Sequence, residues 1–368
     1  MAQDKRIEIL DSYRFIAIIS VMLFHYYSRW TTPRNPISLY PYGSSCNYFS
    51  YGNFGVFFFF VISGFVIAST LTKTNQIGEF WKRRLIRLIP SMFICSFVTF
   101  ILISLLDSGN LFPNSHSFKN FLFSLTFLTP EISKKLQLNL EYVNGSYWSL
   151  WLEVQFYFVA SCIYFISKKR FVSNFIIFTV ITCIFDYYFS KILLDKNTIN
   201  ALNLSYNTVN YLQNFKDIFN YIEFSLYFSI GVICFQLYSK EGTGINLIFL
   251  TVAVFLLLLT KESLDFTRIR VYHSVFLMVL AFLGFIYLPK LLDRVTFKPF
   301  SSIGVASYSL YLIHENLGVL LINKYGSVFG KYSYLFPVLV IALLSGFSIL
   351  LFKYIEKPLG LYLKKKLI

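Results

Sequence analysis

Long apolar runs separated by short polar segments make up most of the chain. About ten of these runs have roughly the length that a membrane-spanning helix needs, and each contains few charged residues. The sequence therefore predicts an all-α, polytopic integral membrane protein. The predicted spans are residues 11–29, 54–71, 88–107, 147–167, 172–190, 221–238, 244–260, 271–288, 302–322 and 334–355.

The loops between the predicted spans differ in their content of lysine and arginine. If the N-terminus faces the cytoplasm, the basic clusters at residues 82–84, 168–170 and 364–366 all lie on the cytoplasmic side. Cytoplasmic loops of membrane proteins are enriched in these two residue types. The distribution therefore predicts that the N-terminus and the C-terminus are both cytoplasmic.

Composition supports a membrane protein and excludes other classes. The mean hydropathy is +0.60 and only 14% of the residues are charged, whereas soluble domains contain about 25%. The net charge of +15 would suit a protein that binds nucleic acid, but the basic residues lie in short loops. That distribution favours contact with membrane lipid over a nucleic-acid partner. The cysteines fall mostly within predicted spans and form neither a disulfide nor a metal pattern.

The first predicted span contains Asp11, Arg14 and His25 in an otherwise apolar run. A helix turns about 100° and rises about 1.5 Å per residue, which places His25 within about 20° of the face of Arg14 and about 16 Å further along the axis. Ionisable groups inside a membrane are costly and mark functional sites. We interpret His25 as a general base, because imidazole exchanges protons near neutral pH; structural hydrogen bonding is the alternative.

A second group of candidate residues lies at the predicted cytoplasmic end of the third span. Arg84 and Arg87 are three residues apart and share a helix face, and Arg83 precedes them. Guanidinium groups form paired hydrogen bonds with phosphate oxygens. The segment indicates either a phosphate-binding site or a basic anchor for lipid headgroups, and the residues alone leave both open.

The fourth predicted span begins with a polar segment around Glu153. An unpaired carboxylate in lipid is strongly disfavoured, so we expect Glu153 to have a partner, with Arg14 or His25 as the candidates. The neighbours that share its helix face or lie at the nearby interface are Ser149, Tyr157 and Trp148.

Two more segments contain polar residues within predicted spans. Ser63 and Gly64 lie in the middle of the second span, where small residues allow close helix packing. His314 and Glu315 lie in the ninth span. We interpret Ser63 as a packing residue and His314 as a structural group or a support for a catalytic one.

Five segments, taken in order, resemble the membrane acyltransferase-3 family, whose members are bacterial O-acyltransferases that modify surface glycans. Each segment alone is weakly specific, but the five in this order are specific, and the resemblance covers essentially the whole chain. The segments are residues 11–14 together with His25, residues 59–65, Arg84 with Arg87, residues 147–157, and residues 307–314.

The resemblance implies transfer of an acyl group, most often acetyl, from cytoplasmic acyl-CoA to a hydroxyl of a surface or lipid-linked glycan. Such acceptors include lipopolysaccharide O-antigen and capsule sugars. Acetyl-CoA would be a donor substrate, and no permanently bound cofactor or metal is implied. The protein would be a multi-pass protein of a bacterial inner membrane.

The resemblance also implies roles for the candidate residues. His25 would deprotonate the acceptor hydroxyl or briefly carry the acyl group. Arg14 would orient the donor or balance Glu153, and Asp11 would pair with a guanidinium group or tune the charge of the site. The phosphates of acyl-CoA would be held by Arg84, Arg87 and Arg83.

The sequence also departs from the family pattern. Ser12 replaces a glycine, Phe57 stands where many members have an acid, and Val154 replaces the second of two glutamates. Only Glu153 can then carry the role of that glutamate pair. Many members have an extracytoplasmic hydrolase-like domain after the last span, whereas residues 1–368 are predicted to form a single membrane acyltransferase domain with none appended.

A transporter or flippase for a lipid-linked glycan is the alternative function. Many apolar spans with intramembrane charges fit a transporter nearly as well on composition. However, the sequence shows no inverted repeat and no pair of Gly/Pro-broken helices of the kind that transporters use. Arginines at one end of the predicted bundle and a histidine toward the other favour a donor and an acceptor that approach from opposite sides.

Overall fold

A computed structural model of the protein describes residues 7–29, 47–194, 205–239, 249, 266–292 and 298–368. Within these ranges the secondary structure consists of helices and turns, without strands. The all-α prediction is confirmed for this part of the chain. The predicted span at residues 244–260 lies, apart from residue 249, outside it.

The helices alternate with short connections along the chain. Short 3₁₀ segments and one π-helical turn occur between them, at Asn47–Asn53, Pro113–His116, Gly145–Tyr147, Lys168–Arg170, Gly326–Leu335 and Phe352–Glu356. The α-helices are α1 (Glu8–Tyr27), α2 (Phe54–Leu71), α3 (Ile77–Leu106), α4 (Phe118–Ser124), α5 (Pro130–Lys135), α6 (Trp148–Ile166), α7 (Phe171–Leu194), α8 (Tyr206–Ile218), α9 (Tyr221–Ser239), α10 (Phe266–Tyr287), α11 (Pro289–Leu292), α12 (Lys298–Val305), α13 (Ser307–Tyr325), α14 (Phe336–Leu351) and α15 (Lys357–Leu367).

Seven helical segments in the described ranges are long and apolar enough to cross a membrane. The last of them, Ser307–Leu367, contains both α13 and α14, which correspond to the predicted spans at 302–322 and 334–355. Helix α10 contains a shorter apolar stretch, Val271–Tyr287. The protein is therefore a multi-helix membrane protein, and helices match nine of the predicted spans within the described residues.

Helix α1 packs against α2, α12 and α13. We call the side where α1 begins the near side and the side where α1 ends the far side. On the far side, the Tyr27 hydroxyl donates to the carbonyl oxygen of Tyr334 at 2.7 Å, and Lys324 Nζ donates to that of Leu106 at 2.8 Å. On the near side, Lys82 Nζ donates to the carbonyl oxygen of Leu367 at 3.0 Å. The ends of α1, α3, α13 and α15 are thereby fixed relative to one another.

Helices α2 and α9 approach each other at two glycines. A Cβ atom added to Gly231 would lie 2.0 Å from the carbonyl oxygen of Val61, and one added to Gly64 would lie 2.1 Å from that of Phe228. Backbone atoms cannot move aside as a flexible side chain can, so both positions require glycine. Gly64 is a packing residue, as the sequence predicts for this segment.

We expect Gly231→Ala to lower the free energy of unfolding by about 2 kcal/mol, because the added methyl group overpacks the contact between α2 and α9. Gly346 in α14 is the matched control, since a Cβ atom there meets no atom within 4 Å. Gly346→Ala should leave stability unchanged or raise it slightly, because alanine favours helix more than glycine does. Thermal melting of the purified variants measures both effects, and equal melting temperatures would contradict the prediction.

Candidate active site

A cavity lies between α1, α2, α3, α6 and α13; we call it the central cavity. Its walls combine apolar side chains with a concentrated set of polar ones. The structure thus brings together residues that are far apart in the sequence. The predicted site residues that line this cavity are Arg14, Ser63, Arg84, Arg87, Ser149, Glu153 and Tyr157.

Glu153 receives its hydrogen bonds from two hydroxyl groups. Ser63 Oγ donates to Glu153 Oε1 at 3.0 Å, and the Tyr157 hydroxyl donates to the same oxygen. The expected ion pair of Glu153 with Arg14 or His25 is therefore not what the structure shows. Hydroxyl donors satisfy the carboxylate, because Tyr157 follows one helical turn later and α2 places Ser63 against α6. Ser63 has a polar contact in addition to its predicted packing role.

Arg14 forms an ion pair with Asp11, and the Nη1–Oδ1 distance is 2.8 Å. The two residues are three apart on α1, so the pair is local to one helix face. Asp11 is buried, whereas Arg14 is partly exposed to the central cavity. The predicted pairing of Asp11 with a guanidinium group is present in the structure.

Arg84 is buried with an incomplete set of hydrogen bonds. Its Nη2 donates to Thr70 Oγ1 at 3.0 Å, and its guanidinium lies 5.8 Å from the ring centre of Phe80 and 5.9 Å from that of Tyr157. Its Nε and Nη1 have no hydrogen-bond partner among the described residues. A buried cation with unused donors is a ready site for an anion.

The three neighbouring arginines do not act as one cluster. Arg84 and Arg87 line the central cavity. Arg83 instead pairs with Glu79, with an Nη2–Oε1 distance of 2.5 Å, and lies beside a second cavity at the near side. This near cavity shares Arg14, Val66 and Arg84 with the central cavity, so the two are adjacent.

His25 lies outside the central cavity, in an ionic cluster toward the far side in which His25 and Glu315 are buried and Arg29 is exposed. Its Nδ1 is 3.4 Å from Glu315 Oε1 and 3.4 Å from Arg29 Nη1. Arg29 Nη1 also contacts Glu315 Oε1 at 2.7 Å. The carboxylate oxygen, the guanidinium and the imidazole nitrogen thus contact one another; Glu315 can stabilise a positive charge on His25, and Arg29 opposes it.

A third cavity opens beside this cluster; we call it the far cavity. Glu315 and Tyr142 line it, and two of their oxygen atoms, Glu315 Oε2 and the Tyr142 hydroxyl, have no hydrogen-bond partner among the described residues. Gly145 lies against the carboxylate, and an added Cβ would lie 3.1 Å from each carboxylate oxygen. Unsatisfied buried polar atoms around a cavity suit a ligand with hydroxyl groups.

The loop after α3 forms another wall of the far cavity. Asp107 accepts hydrogen bonds from the backbone N–H groups of Leu111 and Phe112, both at 2.9 Å, and lies 3.1 Å from His116 Nε2. Burial would raise the pKa of Asp107, but these hydrogen bonds outweigh it and lower the pKa below its ordinary value. The carboxylate therefore stays ionised and holds the loop at neutral pH. The stabilisation that ionised Asp107 gives to the loop is lost only as the pH falls below about 4, the ordinary pKa of an aspartate.

His314 lies between the central cavity and the His25 cluster. Its ring centre is 5.3 Å from that of Tyr311, which lines the central cavity, and 5.0 Å from that of His25. His314 Nδ1 is 2.7 Å from the carbonyl oxygen of Tyr311, and a carbonyl oxygen only accepts, so Nδ1 carries the proton. Tyr311 in turn contacts Ser149 through a 2.8 Å hydroxyl–hydroxyl hydrogen bond.

The sequence pattern predicts no role for Arg29 or Glu315. Arg29 follows His25 by one helical turn, and Glu315 is an isolated carboxylate in an apolar span. Spacing alone could therefore have marked Arg29 as a neighbour of His25. Nothing in the sequence shows that α13 places Glu315 against α1. Trp148, by contrast, packs on Phe224 with ring centres 5.8 Å apart and supports α6 from the side.

Comparison with known proteins gives matches in sequence. A family model described as an acyltransferase domain matches residues 7–355. The O-acetyltransferase OatA of Staphylococcus aureus strain COL is 37% identical over 102 residues, which are 26% of this chain and 14% of that protein. A putative O-acetyltransferase of the same strain is 27% identical over 184 residues, which are 46% of this chain and 27% of that protein. The matched region thus spans about a quarter or less of these relatives' length, and no solved structure matches the chain.

Proposed function

The chain belongs to the acyltransferase domain family, and on this premise we propose that it transfers an acetyl group from acetyl-CoA to a hydroxyl of a glycan. The near side would be the cytoplasmic side of a bacterial inner membrane, and the far side would face the glycan. One observation supports this proposal most directly. The arginines line the near and central cavities, whereas the hydrogen-bonding oxygens line the far cavity toward the opposite side of the bundle.

The donor would enter from the near side. Arg84 offers two unused N–H donor groups to an anion, and Arg14 and Arg87 add positive charge to the same cavity. The acyl arm would extend into the central cavity toward Tyr311. Glu153 is already satisfied by hydroxyl groups, so we propose that it shapes this cavity and offsets part of the positive charge.

The acceptor hydroxyl would bind in the far cavity, next to His25 and Glu315. In the transfer step, an imidazole nitrogen of His25 takes the hydroxyl proton while the oxygen attacks the thioester carbonyl carbon. The carbon–sulfur bond breaks, the sulfur leaves as the thiolate of CoA, and the proton held by His25 is available to it. Glu315 would stabilise the imidazolium that forms in this step.

The function is tested by measuring O-acetyl groups on the cell-surface polysaccharide by NMR. We expect deletion of the gene to remove one O-acetyl signal and the intact protein to restore it. The signal that disappears also identifies the sugar and the position. Unchanged acetylation together with less or shorter polysaccharide would contradict the proposal and favour transport of a lipid-linked glycan.

A further inference from the structure

The near cavity has a strongly basic wall, of which the proposed transfer uses only Arg14 and Arg84. Besides the shared residues Arg14 and Arg84, it is lined by Lys73, Arg83 and Lys364. These three come from separate elements: the turn after α2, the first turns of α3, and the C-terminal helix α15. The fold therefore gathers positive charge from distant parts of the chain around one space.

Little negative charge opposes these cations. Asp11 also lines the cavity, where it pairs with Arg14, and Glu79 pairs with Arg83. The near cavity thus has five cationic and one carboxylate side chain in its wall. Even with Glu79 counted, the balance is positive, as expected for a site that binds a multiply charged anion.

The cavity also has depth along the bundle axis. Val66, at the boundary with the central cavity, and Lys73, at the near end, are seven residues apart, which is about 10 Å of helix. Arg84 lies at the boundary with its unpartnered Nε and Nη1. A ligand that passes Arg84 toward the near side would therefore meet Lys73 and Lys364 at its outer end.

Helix α15 is held in place at this site. Lys82 on α3 donates to the carbonyl oxygen of Leu367 at 3.0 Å, which fixes the end of α15 against α3. The next residues along the helix, Lys365 and Lys366, are exposed and do not line the cavity. The wall position of Lys364 thus depends on the packing of α15, and its neighbour Lys365 is a natural control.

Resting on the proposed function, we infer that the near cavity binds the nucleotide end of coenzyme A and that Lys73 and Lys364 recognise its 3′-phosphate. Coenzyme A carries its thiol at one end, a diphosphate between, and a phosphorylated ribose at the other end. With the thioester in the central cavity, Arg84 meets the diphosphate at the boundary. The terminal phosphate then lies at the two lysines.

The test compares binding of CoA and 3′-dephospho-CoA to the full chain in phosphatidylcholine nanodiscs, by isothermal titration calorimetry. We expect the wild type to bind CoA about tenfold more tightly than dephospho-CoA. In the Lys73→Gln, Lys364→Gln double variant the affinity for CoA should fall to the affinity for dephospho-CoA. The affinity of the double variant for dephospho-CoA should differ from that of the wild type by less than twofold. Lys365→Gln removes one lysine charge from the same helix, outside the cavity wall, and should leave the affinities for CoA and dephospho-CoA unchanged.

Three results would overturn the inference. If the double variant lost the same factor of affinity for CoA and for dephospho-CoA, the lysines would not recognise the 3′-phosphate. Unchanged affinities would mean that they do not contact the ligand. An effect seen only in nanodiscs containing phosphatidylglycerol would assign the lysines to lipid headgroups, which share the phosphate chemistry. A wild type that binds neither form of CoA would instead contradict the donor of the proposed function, which the polysaccharide assay tests separately.

Discussion

His25→Ala is expected to lower acetyl transfer by about 10³-fold, because a general base contributes about 10²- to 10⁴-fold to such reactions. His25 is buried, faces Glu315 at 3.4 Å, and lies beside the cavity where we place the acceptor. Alanine removes the proton acceptor and leaves Arg29 and Glu315 paired with each other at 2.7 Å. The fold should therefore survive the change. The measurement is the O-acetyl signal of the polysaccharide in cells that produce the variant at the wild-type level.

His273→Ala is the matched control for this prediction. His273 lies on α10, and its side chain is exposed. Its replacement should leave acetylation unchanged, which separates the loss of one imidazole at the site from a general effect of histidine removal. Melting temperatures of both purified variants check that the fold is intact. Full acetylation by folded His25→Ala protein would remove the catalytic role of His25.

The helices themselves could be predicted from the sequence, because lipid forces each spanning segment to satisfy its backbone hydrogen bonds internally. Their ends were harder to predict. Helix α3 begins at Ile77, about three turns before the predicted start at residue 88. The intervening basic residues are polar, yet their backbone continues the helix. Pro90 lies inside α3 and does not end it, since proline is tolerated in membrane helices.

The sequence predicted most of the residues of the candidate site but not the contacts between helices that join them. The Arg14–Asp11 pair on α1 was predicted correctly, because helical spacing determines which side chains are neighbours within one or two turns. Contacts between helices were not predicted correctly, because hydrophobic runs do not show which helices are adjacent. Glu153 accordingly bonds Ser63 instead of Arg14 or His25, and the partner of His25 is Glu315. The separation of Arg83 from Arg84 likewise depends on its local pair with Glu79.

Those interhelical contacts decide the chemistry that the site can perform. A lone imidazole in lipid would be a poor base, because a low dielectric opposes the imidazolium that forms. Glu315, supplied by α13, opposes that cost, whereas Arg29, which holds the carboxylate in position, places a like charge beside the imidazole. The carboxylate thus supports a proton transfer that His25 could not perform as readily without it. The rate should therefore depend strongly on Glu315 as well as on His25.

Glu315→Gln is expected to lower the turnover number by about 10²-fold or more while the KM for acetyl-CoA stays nearly constant. The amide keeps the shape of the side chain but cannot stabilise the imidazolium, and loss of an orienting carboxylate has comparable or larger effects in other base-catalysed transfers. The donor cavities do not include Glu315, so donor binding should be preserved. Steady-state kinetics of the purified variant with acetyl-CoA and an isolated polysaccharide acceptor give both parameters.

Glu141→Gln provides the comparison. Glu141 lines the same far cavity but pairs with Lys134 at 3.1 Å and is one-third exposed, so its loss should change turnover by less than about threefold. A raised KM for the polysaccharide in Glu315→Gln protein, with an unchanged turnover number, would mean that the carboxylate binds the acceptor and does not assist His25. A fall in turnover that becomes smaller at lower pH would support the assistance to His25, because an imidazole without its carboxylate holds a proton less tightly and stays available as a base at lower pH.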